Sequence, residues 1–355
     1  MKITSNKNIK IFLNKVLGPL LFIWLSYSIY QQIISQADLN ESIRYITEAV
    51  SGVQAWQFWL AILLMVFNWI IEARKWKVLM SPLQQISMWH SFKGVLAGLA
   101  FALSTPNRVG EYGGRMLYIE EGKRRKSVSI TVIGSLSQLI ITLLAGSIGL
   151  VLVKKDLVQS ISSYDTMPVL ANGLQWIAIT AGIVLTVFYF RLDWLMKCCE
   201  LIRLREKWLQ YIRVSCELDV TILLRVLGLS AFRYAVFVYQ YILLLQVMHV
   251  NLKVNDAFWI ISILYLILAL VPTIALLELG LRGKLAILLF QFFSNNILGI
   301  YAASTGIWLI NLVLPAIAGS LLVAGIKFFN VRQNEDKISY FTLTDSSYAS
   351  SECRQ

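Results

Sequence analysis

The run SVSITVIGSLSQLIITLLAGSIGLVLV at residues 127–153 decides the fold class, because it contains no charged residue. A transmembrane helix needs about 20 consecutive apolar residues, and this stretch exceeds that length. Similar runs recur along the chain, which is 57% hydrophobic and 15% charged and has a mean hydropathy of +0.65. The sequence therefore predicts an all-α polytopic membrane protein.

Outward from this run, the apolar pattern predicts six full spans in one transmembrane domain, residues 1–330. They lie at about residues 12–34, 56–71, 127–153, 171–190, 226–248 and 297–326. Between 192 and 224, apolar residues at heptad spacing alternate with charges, which predicts an amphipathic segment on the membrane surface. Residues 331–355 are polar and Ser-rich, which predicts a disordered cytosolic tail.

Two further apolar stretches, residues 91–105 and 257–271, are too short for a full crossing and end at prolines. A second helical stretch follows each proline, to about residue 121 and to about residue 293. These patterns predict two re-entrant or broken helical hairpins. The alternative keeps each apolar run as a full span and gives eight spans.

The distribution of Lys and Arg predicts the orientation of the chain, whose net charge is +12. Most of these cations fall in the tails and in loops near 74–93, 107–126 and 191–225, so both termini are expected in the cytosol. The first hairpin then enters from the cytosol and the second from the outer face. This order predicts an inverted repeat with halves at about 10–155 and 170–328. Because the cations lie in short loops and form no basic module, nucleic-acid binding is excluded.

Each hairpin carries a Glu, a Gly two positions later and an Arg four positions later. The copies contain Glu111 and Arg115, and Glu278 and Arg282. Charges at membrane depth are costly unless they are paired or line a cavity, so the repeated motif predicts a site. The predicted backbone breaks are Pro106, Gly110, Gly113, Pro272 and Gly280.

Two interpretations of these charges stay open. Each Glu and Arg could form a local ion pair, because residues four apart share a helical face. Alternatively, Arg108, Arg115 and Arg282 contact phosphate, helped by free N–H groups after the prolines, while Glu111 and Glu278 balance charge or accept protons. Only the first copy has a cation like Arg108, so the site is expected to be asymmetric.

Other polar and aromatic residues suggest fewer roles. Arg233 lies inside a predicted span and could face a cavity or pair with Glu278 or Glu111. Tryptophans near the span ends, including Trp56, Trp76 and Trp89, are expected to anchor the protein at the membrane interface. The chain contains no P-loop, HExxH or CxxC motif, so no cofactor, metal or catalytic residue is predicted.

Three motifs resemble the lysylphosphatidylglycerol synthase transmembrane-region family of flippase-like integral membrane proteins. They lie at residues 72–76, at 106–111 with Arg115, and at 272–282, and the resemblance extends over about residues 10–330. The family often has a glycine-rich stretch before its second Glu, whereas this chain has Ile274-Ala275-Leu276-Leu277. The resemblance implies movement of lipids between leaflets. Larger members carry a soluble aminoacyl-transferase domain that this chain has no room for, so lysyltransferase activity is not expected.

The sequence thus predicts a lipid flippase or transporter of a bacterial-type plasma (inner) membrane. Its partner would be a membrane phospholipid or a lipid-linked precursor with an anionic headgroup. The alternative is a non-transporting lipid-binding partner of a glycosyltransferase or another lipid-modifying enzyme. An intramembrane enzyme is a third hypothesis, without a positive signature. The identity of the lipid, the direction of movement, the energy source and the oligomeric state are not predicted.

Overall fold

The computed structural model describes residues 51–103, 105, 108–160, 167–194, 196, 213, 218–271 and 275–323, with side chains omitted at 154–160, 167–171 and 275–278. The described residues form helices and connecting turns, with no strand among them. In chain order the helices are α1 (Ala55–Met80), α2 (Met88–Ala102), α3 (Gly110–Met116), α4 (Arg124–Ser160), α5 (Met167–Phe190), α6 (Val220–Val247), α7 (Val254–Leu270), α8 (Ala275–Phe290) and α9 (Ile297–Trp308, continuing through a π-helical turn at Leu309–Val313 to Val323).

Five of these helices, α1, α4, α5, α6 and α9, are long and apolar enough to cross a membrane. They confirm the all-α polytopic fold and coincide with five of the predicted spans. The predicted span at 12–34, the tail at 331–355 and most of the segment at 192–224 lie outside the described residues. Residues 220–224 belong to the start of α6 instead of the predicted surface segment.

Helix α1 continues beyond the predicted end of its span. The charges that follow residue 71 were expected at a cytosolic helix end, yet Glu72 and Lys75 are buried inside α1, which runs to Met80. On the opposite face, a stripe that includes Trp59, Leu63 and Phe67 is exposed, as expected for a surface that contacts lipid. Helix α1 is therefore amphipathic, with a polar stripe directed into the protein.

Helices α2 and α3 pack against each other in opposite directions. A Cβ atom added to Gly110 would overlap the main chain at Phe101, and one added to Gly114 would overlap it at Ala97. The chain turns back fully, because the Glu120 N–H donates to Gln84 Oε1 at 3.2 Å. Residues before α2 and after α3 thus lie at the same end of the hairpin. Helix α3 ends at Met116, earlier than the expected residue 121.

The second segment returns in the same way but packs differently. The Asn296 side chain, after α8, donates through Nδ2 to the Met248 carbonyl, before α7, at 3.0 Å. Helix α7 packs chiefly against α4, where Gly149 faces the Trp259 carbonyl, whereas α8 packs chiefly against α9, where Gly283 faces the Tyr301 ring. Helices α7 and α8 therefore belong to different layers.

The lengths of α2 and α7 suit half-crossings. With a rise of about 1.5 Å per residue, the 15 residues of α2 and the 17 of α7 reach about 22 Å and about 26 Å, less than the roughly 30 Å of a bilayer core. These lengths and the hydrogen bonds that join the flanks fit the predicted hairpins, and the number of full spans stays a prediction.

Contacts between the two halves are reciprocal. Helix α7 of the second half packs on α4, and α2 of the first half meets the end of α9, where a Cβ atom on Gly319 would overlap the Leu96 carbonyl. Between them, α1 and α6 run antiparallel, since Gln57 bonds Gln246 at 3.2 Å while Asn68 bonds Arg233 at 2.7 Å. This central pair positions the polar residues described next.

Candidate functional site

A buried ion cluster joins α1, α3 and α6. Glu72 lies at its centre, with its Oε2 atom 2.8 Å from Lys75 Nζ and 3.2 Å from Arg233 Nη1. The Glu72 Oε1 atom lies 2.8 Å from Arg115 Nη2, which also contacts Glu111. We refer to these five residues as the Glu72 cluster.

Arg115 is the link between the first hairpin and the spans. Its side chain is 4% exposed, and one nitrogen, Nη2, serves both Glu72 and Glu111. Its guanidinium carbon lies 5.8 Å from the centroid of the Trp76 ring, a distance typical of a cation–π contact. The pairing of Glu111 with Arg115, one of the two interpretations left open by the sequence, is therefore present in this structure.

Trp76 corrects one sequence prediction. It was expected to be an interfacial anchor, but it is fully buried and its Nε1–H donates to Thr131 Oγ1 of α4 at 3.2 Å. Its ring instead supports Arg115. Trp56 and Trp89 are largely exposed, as an anchor at the membrane interface requires.

Arg233 of α6 is held by residues of two other helices, α1 and α4. Its Nε–H donates to Asn68 Oδ1 of α1 at 2.7 Å, and Nη1 donates to Gln138 Oε1 of α4 at 3.3 Å, in addition to the ion pair with Glu72. The sequence suggested Glu111 or Glu278 as its partner, so Glu72 is an unexpected one. With these contacts, Arg233 fixes the spacing of the central spans around the cluster.

The charges of the Glu72 cluster do not cancel within the described residues. Three cations, Lys75, Arg115 and Arg233, surround the two carboxylates of Glu72 and Glu111. Lys75 gains a further acceptor, the Gly134 carbonyl at 3.3 Å. The excess of one positive charge is costly in a cluster that is largely buried, so the arrangement favours binding of an anion.

The tip of the first hairpin presents Arg108. This residue is exposed and has a φ of 58°, a left-handed value that is uncommon for a residue other than glycine. The Gly110 N–H at the start of α3 donates to Thr105 Oγ1 at 2.7 Å. This N–H is thus not free to bind phosphate, contrary to the expectation for the helix start. Pro106 and Asn107 lie outside the described residues.

In the second copy, Arg282 is buried and its guanidinium carbon lies 5.6 Å from the Tyr265 ring centroid. The structure does not describe Pro272 or the side chain of Glu278, so pairing of Glu278 with Arg282 stays a prediction. Gly113 and Gly280, at matching positions of the motif, have no described atom within 4 Å of a built Cβ. Among the described residues, neither glycine is therefore a close-packing position, unlike Gly110.

Sequence reasoning missed Glu72 and Lys75 as members of the site. Four charged residues within six positions after an apolar run resemble a cytosolic helix end. Burial of Glu72 and Lys75 was therefore not expected. The available signal was spacing, because Asn68, Glu72 and Lys75 recur at intervals of four and three and so share one helical face. No group of three or more potential metal ligands occurs among the described residues.

The sequence of the chain matches the family described as Lysylphosphatidylglycerol synthase TM region over residues 15–319. Comparisons with curated proteins and with solved structures find no match.

Proposed function

Because the chain belongs to the lysylphosphatidylglycerol synthase TM region family, and is thus a lipid-related integral membrane protein, we propose that it moves a phospholipid or a lipid-linked precursor between leaflets. The proposed activity is movement of a lipid without covalent chemistry. The observation that carries it is the Glu72 cluster, in which Arg115 of a short hairpin helix reaches a carboxylate of a membrane span.

The cluster suggests how a headgroup engages the protein. Arg115 has two carboxylate partners, and Glu111 is the more accessible, with 21% of its side chain exposed against 8% for Glu72. A lipid phosphate offers the same oxygen chemistry as a carboxylate and competes for the guanidinium. In the proposed mechanism, phosphate displaces Glu111 while Glu72 keeps Arg115 in place, and the released Glu111 accepts a proton.

The remaining site residues take roles along the path. Arg108, at the exposed hairpin tip, attracts the headgroup, and Arg282 receives it in the second half, with Glu278 balancing charge. Acyl or prenyl chains stay in the bilayer, along apolar faces such as the exposed stripe of α1.

The architecture supports movement through two inverted halves. The reciprocal contacts of α2 with α9 and of α7 with α4 are those expected of a repeat. Near the two hairpins, Leu103, Leu279 and Trp308 share one buried cluster. In this proposal the hairpins are re-entrant from opposite faces, both termini are cytosolic, and the membrane is a bacterial-type inner membrane.

A headgroup-accessibility assay tests the proposal. The purified chain is reconstituted into vesicles that contain headgroup-labelled fluorescent phosphatidylglycerol, and dithionite, which does not cross the membrane, bleaches label that reaches the outer leaflet. We expect the wild-type protein to bring label from the inner leaflet to the outer leaflet. The rate of bleaching is compared with and without a pH gradient. Labelled phosphatidylethanolamine and a labelled polyprenyl phosphate extend the assay to other headgroups.

The matched variants are Glu111→Gln and Glu121→Gln. Glu111→Gln removes the carboxylate that has to return to Arg115 to release the phosphate, and it is expected to slow translocation roughly tenfold. Within the part of the chain that the structure describes, the Glu121 side chain makes one exposed ion pair, with Arg124 at 3.5 Å, so Glu121→Gln should match the wild type. Wild-type rates in the Glu111→Gln protein would refute the proposed role of the cluster. Lipid binding without translocation of any of the three lipids would instead favour the non-transporting partner of a lipid-modifying enzyme.

A further inference from the structure

A second polar cluster lies in the other half of the protein, around Arg282. Tyr241 of α6, Tyr265 of α7, Arg282 of α8 and Ser304 of α9 are all buried. The Tyr241 and Tyr265 ring centroids are 6.3 Å apart, and Arg282 lies over the Tyr265 ring. Helices α6 and α9 pack against each other, so Tyr241 and Ser304 lie on adjoining helices, and four helices carry the residues of this cluster. We refer to them as the Arg282 cluster.

The hydroxyl groups of this cluster make no hydrogen bonds within the part of the chain that the structure describes. This holds for the hydroxyls of Tyr241, Tyr265 and Ser304, and also for the buried Nε1–H of Trp308, one helical turn after Ser304. A buried polar group without a partner is costly, so several in one place call for an explanation. Ser304 and Trp308 share one face of α9, so their polar atoms can serve a single ligand.

The backbone provides an independent indication of function. Immediately after Trp308, α9 contains the π-helical turn Leu309–Val313, and such turns occur frequently at functional sites. Asn311 within this turn donates through Nδ2 to Gln240 Oε1 at 2.9 Å, and Gln240 precedes Tyr241. The irregular turn is therefore coupled to the helix that carries one of the unpaired hydroxyls.

The chemistry of the cluster specifies its ligand. Three hydroxyls and an indole N–H donate hydrogen bonds, and a guanidinium supplies positive charge, so the group is rich in donors. We propose that Tyr241, Tyr265, Arg282 and Ser304 form a phosphate-binding site, which holds the phosphodiester of a lipid headgroup during its passage.

This site needs an opening movement, because its members are buried. Helix α7 packs chiefly on α4 and α8 chiefly on α9, so Tyr265 and Arg282 lie on helices with different main partners. Separation of these layers would admit a headgroup, as alternating access between inverted halves requires. The role in passage rests on the proposed lipid movement, whereas binding of phosphate can be measured by itself.

The test uses the full chain in detergent and three soluble probes: inorganic phosphate, dihexanoyl phosphatidylglycerol and dihexanoylglycerol, which lacks phosphate. Binding is measured from the dependence of the melting temperature on probe concentration. We expect dihexanoyl phosphatidylglycerol to stabilise the protein and dihexanoylglycerol to leave it unchanged. Equal stabilisation by dihexanoylglycerol would overturn the proposal. Inorganic phosphate that binds as tightly as the lipid would overturn the assignment to a headgroup.

The variants remove hydroxyls and keep the rings. The double variant Tyr241→Phe/Tyr265→Phe should bind dihexanoyl phosphatidylglycerol roughly tenfold more weakly. Tyr239→Phe, on the same helix but 46% exposed, is the matched control and should bind normally. Should the double variant fail to fold, Ser304→Ala carries the test with the same expected direction. Unchanged affinity in both would refute the site. A wild type that binds the lipid but does not translocate it would refute the proposed function and leave this site intact.

Discussion

Arg115 Nη2 donates to Glu72 Oε1 at 2.8 Å, joining residues 43 positions apart in the chain. The bond attaches a seven-residue helix to a membrane span. Because α3 is too short to be stable alone, its position depends on this ion pair and on its packing against α2.

Glu72→Ala should destabilise the protein strongly. Removing the shared carboxylate leaves Lys75 and Arg233 without their ionic partner among the described residues, and loss of one member of a buried ion pair costs about 3–5 kcal/mol. Thermal unfolding in detergent measures the effect. The control is Glu120→Ala, which among the described residues removes one exposed ion pair, with Lys123. A melting temperature equal to that of the control would contradict a central role for Glu72.

Arg115→Ala and Glu111→Gln should differ in stability. The first leaves two carboxylates without their guanidinium, so we expect a loss of about 3–5 kcal/mol. The second leaves Arg115 paired with Glu72, so we expect a loss of about 1 kcal/mol. Chemical unfolding of both variants gives the comparison. Equal losses would mean that Glu72 does not hold Arg115 independently of Glu111.

Gly319→Ala should weaken the contact between the halves. The added Cβ would overlap the Leu96 carbonyl, and overpacking of this kind costs about 1–3 kcal/mol. Gly228→Ala is the matched control, because no described atom lies within 4 Å of its built Cβ and alanine favours a helix by about 1 kcal/mol. The two variants should therefore shift the melting temperature in opposite directions. A Gly319→Ala protein as stable as the control would contradict close packing of α2 on α9.

Arg108→Gly should raise the stability of the protein and lower its rate of transport. Glycine adopts the φ of 58° without strain, which favours the variant by about 1 kcal/mol, while loss of the cation should slow headgroup capture. Melting temperature and vesicle transport are measured on the same preparation. Arg108→Lys keeps the charge and should transport faster than Arg108→Gly. Equal transport by the two variants would exclude an electrostatic role at the hairpin tip.

Cysteine labelling tests the hairpin topology. The native cysteines are first replaced, and Lys93→Cys and Glu120→Cys are then introduced one at a time. Both should react with an impermeant reagent from the cytosolic face, because the flanks of the first hairpin lie together. Lys253→Cys should react from the other face. The eight-span arrangement instead places the positions of Lys93 and Glu120 on opposite faces.

The sequence predicted the helices better than their contacts. Apolar runs and prolines specify where α4 lies and where α2 ends, because these features depend on local residues alone. The partner of Arg233 was not predictable, since Asn68, Glu72 and Gln138 lie on two other helices and only packing brings them together. Trp76 was misassigned because a tryptophan near charges resembles an interfacial anchor, and its burial follows from the approach of α4.

The hydrogen bonds that close the two hairpins also bear on how the protein is made. Since the flanks of the first hairpin meet on one side, which is the cytosol in the proposed topology, the Glu120–Gln84 contact can form without any polar loop being passed through the bilayer. The basic run Lys123-Arg124-Arg125-Lys126 then remains in the cytosol, where the chain is synthesised. In the proposed topology, the insertion machinery has to translocate the second hairpin with its flanks, but not the first hairpin. Both polar clusters would be assembled afterwards, as the hairpins fold in from the sides.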